Sequence, residues 1–128
     1  MDGVLFFDGH CGMCTRTRNG LVRLDRSGAL RTEPIQAPGA ADRLGVPADR
    51  LPESVWWLDD SGQVFAAAEA MNAALSVALG SRAPLRLYRL PGMRRLQERV
   101  YRWVATHRYR FPGTTPYCES HPAGCAAS

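Results

Sequence analysis

The chain has 128 residues, 45% of them apolar, with sixteen Arg and no Lys against twelve acids, for a formal net charge of +4. This suits one globular domain with a real hydrophobic core and excludes a disordered or fibrous chain. Residues 1–81 hold seven Arg against ten acids, whereas residues 82–128 hold nine Arg against Glu98 and Glu119; with no nucleic-acid-binding motif beside it, the basic excess reads as a solvated helix face and nucleic acid is not the expected partner.

The first three residues carry no basic leader and the first apolar run is four residues long, so no signal peptide is expected. The apolar-rich stretch 65–79 is interrupted by Glu69, Asn72 and Ser76 and is not expected to enter a membrane. The expected compartment is the cytoplasm, where a C-x-x-C pair is more often catalytic or metal-binding than structural.

In chain order, residues 3–7 are a continuous apolar and aromatic run, which predicts a buried strand. From Met13, Thr17, Leu21 and Leu24 recur at three- and four-residue steps. That spacing predicts an amphipathic helix ending near Ser27, with Gly28 as a left-handed stop. Gly20 inside it suggests close packing there. Residues 30–35 predict a second strand, and residues 37–52 a connection with a short helix at 40–44. Residues 54–58 and 63–66 flank the turn Asp59-Asp60-Ser61-Gly62 as a hairpin. Helices are expected at 67–79, with Met71, Ala74, Leu75, Ala78 and Leu79 on the packed face, and after Pro91, with Met93, Leu96, Val100, Trp103 and Val104 as the apolar stripe. Trp56, Trp57 and Trp103 read as core, with Trp56 and Trp57 on opposite faces of their strand. The last fifteen residues read as a tail, mobile unless something pins it.

The order β, α, β, (α), β, β, α predicts an α/β fold: a thioredoxin-like mixed sheet flanked by helices, with extra C-terminal helices. The domain is expected over 1–113, with a core at about 3–80, a helical addition at about 84–107, and the tail at 114–128.

Candidate chemistry centres on Asp8-Gly9-His10-Cys11-Gly12-Met13-Cys14, where a strand ends and a helix begins. Thiol–disulfide exchange needs a thiolate, and a helix N-terminus favours negative charge through unpaired N–H groups and the helix dipole. Cys11 is therefore the expected nucleophile, and Cys14, one turn deeper, the resolving thiol. His10 can stabilise a thiolate or move a proton, but the simpler reading is an exposed residue. Asp8 can relay a proton or order the loop by accepting backbone N–H bonds. Arg16 and Arg18, in the first turns, are expected to face water.

Two competing readings concern the cysteines. His10, Cys11 and Cys14 could join Cys118, His121 and Cys125 in a tetrahedral zinc site, or the fold could serve as a protein-interaction module without redox turnover, its Arg-rich C-terminal helix docking an acidic partner. The tail cysteines could alternatively form their own disulfide or a second shuttle pair exchanging with Cys11; loose thiols are the simpler expectation. No phosphate-binding or dinucleotide loop is present, so no cofactor is expected. The substrate is then a disulfide-containing protein or small molecule, and electrons come from a partner protein or a small thiol.

The motif Asp8-Gly9-x-Cys11-x-x-Cys14 after a hydrophobic first strand resembles the DCC family of thiol-disulfide oxidoreductases, as do the hairpin and Ala-rich helix of residues 55–79 and the stretch Arg108-Tyr109-Arg110-Phe111-x-Gly113. The resemblance implies a thioredoxin-like fold and a dithiol activity. His107 stands where the family has Asn, and Pro112 interrupts the last motif. Thioredoxin relatives usually carry a cis-proline just before the third strand; here Pro52 precedes Ser54 by two residues, and its isomer is left open.

Overall fold

The computed structural model describes residues 3–26, 28–107, 115–120 and 125. The elements are β1 (Gly3–Phe7), α1 (Gly12–Leu24), β2 (Leu30–Pro34), α2 (Ala40–Leu44), a 3-10 helix (Ala48–Glu53), β3 (Trp56–Asp59), β4 (Val64–Ala66), α3 (Ala67–Leu79), α4 (Ala83–Tyr88), α5 (Met93–Thr106) and α6 (Tyr117–Ser120). The four strands form one sheet in the order β2-β1-β3-β4. β1 runs parallel to β2 and antiparallel to β3, and β3 runs antiparallel to β4. This is the thioredoxin-like mixed sheet expected from the element order.

β1 is buried at every position because helices cover both faces of the sheet. Its alternate side chains feed two cores. Leu5 joins Trp57, Leu21, Leu30 and the α3 residues Ala70, Ala73, Ala74, Val77 and Ala78. On the other face Val4 and Phe6 join Trp56, Ile35, Ala40, Leu44 and Leu51. Trp56 and Trp57 thus point to opposite faces, as the two-residue period of a strand requires. Gly3 is held to its identity by packing: a Cβ there would lie 2.4 Å from Trp57 Cζ2 and 2.7 Å from the carbonyl oxygen of Leu58.

Several expectations change. The buried face of α3 is its alanine stripe with Val77, while Leu79 is exposed; small side chains let the helix backbone approach the Trp57 face closely, and larger neighbours sit at the margin. α1 ends at Leu24 with Asp25 as its C-cap, and Asp25 Oδ2 accepts the Leu30 N–H at 3.1 Å. Gly28 does have a positive φ of 71°, but in the turn beyond the helix. A Cβ on Gly20 would meet nothing within 4 Å, so that glycine serves no close packing. The stripe of α5 faces outward in large part. Leu96, Val100 and Trp103 are exposed, Trp103 to 57%, so Trp103 is not core; of the expected stripe Met93 and Val104 are half-buried, and Val104 lines a pocket of the domain together with Tyr101, which lies off the stripe.

At the hairpin, burial alone would push the Asp59 carboxyl up, but hydrogen bonds from the Ser61 hydroxyl and from the backbone of Gln63, Ser61 and Gly62 hold it below its ordinary value. Among the described residues no peptide bond is cis, and Pro52 lies inside the 3-10 helix. Nor is any described helix long and apolar enough to cross a membrane.

Candidate active site

The C-x-x-C segment begins where β1 ends, at the carboxyl edge of the sheet, where α/β folds place ligands. Asp8 is buried, and its Oδ1 accepts the His10 N–H at 3.0 Å and the Gln36 side-chain amide at 2.9 Å. Its carbonyl accepts the Cys11 N–H at 3.2 Å. These bonds close the turn and deliver the chain into α1. The carboxylate thus accepts a backbone N–H within the loop, the kind of bond that the ordering role read from the sequence requires. The His10 side chain is exposed.

Cys11 is the N-cap of α1 in extended conformation, and its sulfur accepts the Cys14 N–H at 3.3 Å. A sulfur in this position satisfies one of the otherwise unpaired N–H groups of the first turn. Both Cys11 and Cys14 are unbridged thiols. Their depth differs from the expectation that Cys14 lies deeper: Cys11 is only 1% exposed, while Cys14 is half-buried and opens onto a pocket of roughly 140 Å³.

That pocket is mostly apolar. Leu5 and Phe7 of β1, Met13 of α1, Val55 before β3, Met71 of α3, and Tyr101, Val104 and Ala105 of α5 line it, with Asp8, Cys14, Thr17, Arg18 and Ser54 as its polar members. The helical addition therefore builds one wall of the site. Tyr101 fixes this wall by accepting the Val55 N–H on its hydroxyl at 3.0 Å. Nearby, Ala67 has a positive φ of 56° at the β4–α3 junction. Its N–H is held by Ser54 Oγ at 2.8 Å and the Val55 carbonyl at 3.1 Å, bonds that offset the steric cost of that conformation.

Arg18 does not simply face water. Its Nε donates to Thr32 Oγ1 at 2.9 Å, and its guanidinium lies 5.3 Å from the Tyr117 ring centroid and 6.0 Å from that of Phe7. Arg16 is exposed as expected.

Three contributors escape sequence reasoning. Gln36, just after β2, bridges the motif by accepting the Gly9 N–H at 2.9 Å while donating to Asp8. Thr15, buried, donates its hydroxyl to the Cys11 carbonyl at 3.0 Å and accepts the Tyr117 N–H at the same distance. Tyr117 packs edge-on against Phe7, with centroids 5.2 Å apart. For Gln36 a signal existed: the parallel pairing of β1 and β2 sets their carboxyl ends side by side. Nothing local marks Thr15 or Tyr117.

The tail is pinned where it is described. Besides Tyr117, the Cys118 N–H donates to the Gly9 carbonyl at 3.0 Å. Cys118 is buried and bridged to Cys125, which replaces the expectation of loose thiols. In this form neither sulfur is a thiolate that could ligate zinc with Cys11 and Cys14. His121 and the stretch of residues 108–113, including Pro112, lie outside the described residues.

A thioredoxin-like sheet whose first helix opens on an unbridged C-x-x-C pair places the chain among the thioredoxin-like proteins. More particularly, it belongs to the DCC1-like thiol-disulfide oxidoreductase family, which matches residues 5–114. Over 120 residues it is 29% identical to the "Uncharacterized protein YuxK" of Bacillus subtilis (strain 168), covering 90% of this chain and 84% of that protein. No solved structure shows a significant match. Family membership supports a thiol–disulfide oxidoreductase role.

Proposed function

We propose that this protein reduces disulfides by exchange through Cys11 and Cys14. The observation that carries this reading is an unbridged pair at the start of α1 with one member, the half-buried Cys14, lining an apolar pocket. The pocket favours a disulfide flanked by apolar groups, in a protein or a small molecule.

The exposures argue for a division of labour opposite to the one read from the sequence. Cys14 meets the incoming disulfide. Its thiolate attacks one substrate sulfur, the substrate S–S bond breaks, and the departing sulfur leaves as a thiolate that takes up a proton. Cys11, the helix cap behind it, then attacks Cys14 Sγ, releases the second substrate thiolate, and leaves a Cys11–Cys14 disulfide. The substrate gains two electrons and the dithiol loses two, which an external thiol restores. Asp8 acts through the loop it orders, and the Tyr101 wall excludes water from the mixed disulfide.

The test uses dithiodipyridine, a small aromatic disulfide, with adducts located by peptide mass spectrometry. Cys11→Ser is expected to accumulate an adduct on Cys14 that cannot be resolved, whereas Cys14→Ser forms its adduct on the buried Cys11 slowly. Faster capture by Cys14→Ser restores the Cys11-first order, and no capture by either variant defeats the exchange reading.

A further inference from the structure

The bridge between Cys118 and Cys125 is badly placed for a staple. It closes the C-terminal segment onto itself over a separation of seven residues and ties nothing to the body of the domain. A short loop also restrains the unfolded chain less than a long one. Docking of the segment rests on other contacts: the Cys118 N–H to the Gly9 carbonyl, the Tyr117 N–H to Thr15, and the Tyr117 ring on Phe7.

Those contacts set the bridge against the C-x-x-C loop. Cys118 Sγ packs on Gly9, two residues before Cys11, so closely that a Cβ on Gly9 would lie 2.6 Å from it. The same sulfur lies 3.7 Å from Gln36 Oε1, the oxygen that holds the Gly9 N–H; having no proton in the disulfide, it makes there a packing contact only. Thr15 alone separates the Tyr117 amide from the Cys11 carbonyl. Cys11 and Cys14 therefore have different neighbourhoods. Cys14 lines the pocket, whereas Cys11 is absent from its wall and buried beside the loop on which the segment lies.

We propose that Cys118 and Cys125 are a second redox pair of this chain, passing electrons to the Cys11–Cys14 pair through Cys11. This rests on the exchange reading given above. With the tail pair reduced and the C-x-x-C pair oxidised, the Cys118 thiolate attacks Cys11 Sγ, the Cys11–Cys14 bond breaks, and Cys14 leaves as a thiolate and takes up a proton. Cys125 then attacks Cys118 Sγ and releases Cys11 as a thiolate. Two electrons have moved from the tail pair to the C-x-x-C pair with no other reactant. The end state is the one seen here, with Cys118 bridged to Cys125 and neither motif cysteine in a disulfide. A low-molecular-weight monothiol of the glutathione class resets the tail pair by the same exchange, ending as its own disulfide.

The test asks which sulfurs can reach each other. The full chain carrying Cys14→Ser and Cys125→Ser keeps only Cys11 and Cys118; it is reduced, freed of reductant and oxidised with oxidised glutathione. The expected product is a monomer with a Cys11–Cys118 disulfide, read as loss of alkylation at both sulfurs and a cross-linked peptide. Separate glutathione adducts on the two cysteines overturn the proposal. So does an equal yield of a Cys14–Cys118 bridge in the Cys11→Ser, Cys125→Ser chain. Should either variant fold poorly, the wild-type chain is acid-quenched during reduction by limiting glutathione and mapped in the same way. A transient Cys11–Cys118 peptide supports the relay, and its absence at every time point overturns it. The two readings fail separately: a Cys11–Cys118 bridge with no capture of dithiodipyridine removes the external exchange only, and capture without the bridge removes the relay only.

Discussion

Gly9→Ala tests whether the C-terminal segment is built into the C-x-x-C loop. Gly9 has no positive φ, so the substitution carries no left-handed backbone penalty; its effect is steric. The new methyl would lie 2.6 Å from Cys118 Sγ, 2.9 Å from Gln36 Oε1 and 3.0 Å from Pro34 Cβ. Forcing one methyl into a packed site costs about 1–3 kcal/mol. Each of the two hydrogen bonds at Gly9, from Cys118 and to Gln36, is worth on the order of 1 kcal/mol if the clash is relieved by letting it go. The chain takes the cheaper route, so the expected loss is about 1–3 kcal/mol rather than the sum. Urea unfolding measures it, and hydrogen exchange at the Cys118 amide shows whether the segment has lifted. Because Cys118 supplies the nearest atom, a double-mutant cycle of Gly9→Ala with Cys118→Ala is expected to show a coupling of about 1 kcal/mol. A cost below about 0.5 kcal/mol with no coupling would falsify the docking argument.

Gly20→Ala is expected to raise stability by about 1 kcal/mol, since it removes a helix-interior glycine and the new methyl meets open space; a loss in urea unfolding means something packs there after all. Asp8→Asn retains an oxygen for the His10 N–H, so exchange rates are expected to stay within a few-fold of wild type, whereas Asp8→Ala loosens the loop at about 1–3 kcal/mol. A large drop in the single-turnover rate of Asp8→Asn at unchanged stability would instead point to proton transfer by the carboxylate. Burial, then the hydrogen bond to Glu98 and the charges of Glu98 and Glu69, push the Tyr88 phenol up to about 12, partly opposed by Arg94. A folded-state value above the unfolded one of about 10 gives stability that is complete below pH 10 and lost as pH climbs towards 12. Tyr88→Phe should flatten that alkaline loss, and equal slopes in wild type and variant contradict it.

By itself the sequence determined what depends on local pattern. The apolar run of β1, the Asp8-Gly9 turn, the C-x-x-C spacing and the Ala-rich run of α3 each carry their signal within a few residues, so the element order and the location of the candidate dithiol were legible. The opposite facing of Trp56 and Trp57 followed from strand geometry alone. Only the tertiary structure decided which sulfur is covered, because helix position favours Cys11 whereas burial depends on what packs over it. Only it showed that α5 turns Leu96, Val100 and Trp103 outward while Tyr101 closes the pocket, since periodicity defines an apolar stripe but not its partner. The link from Tyr117 to Thr15 spans 102 residues of sequence. Contacts at that separation arise from folding the whole chain, and the setting of Cys118 beside the Gly9–Cys11 loop is one of them.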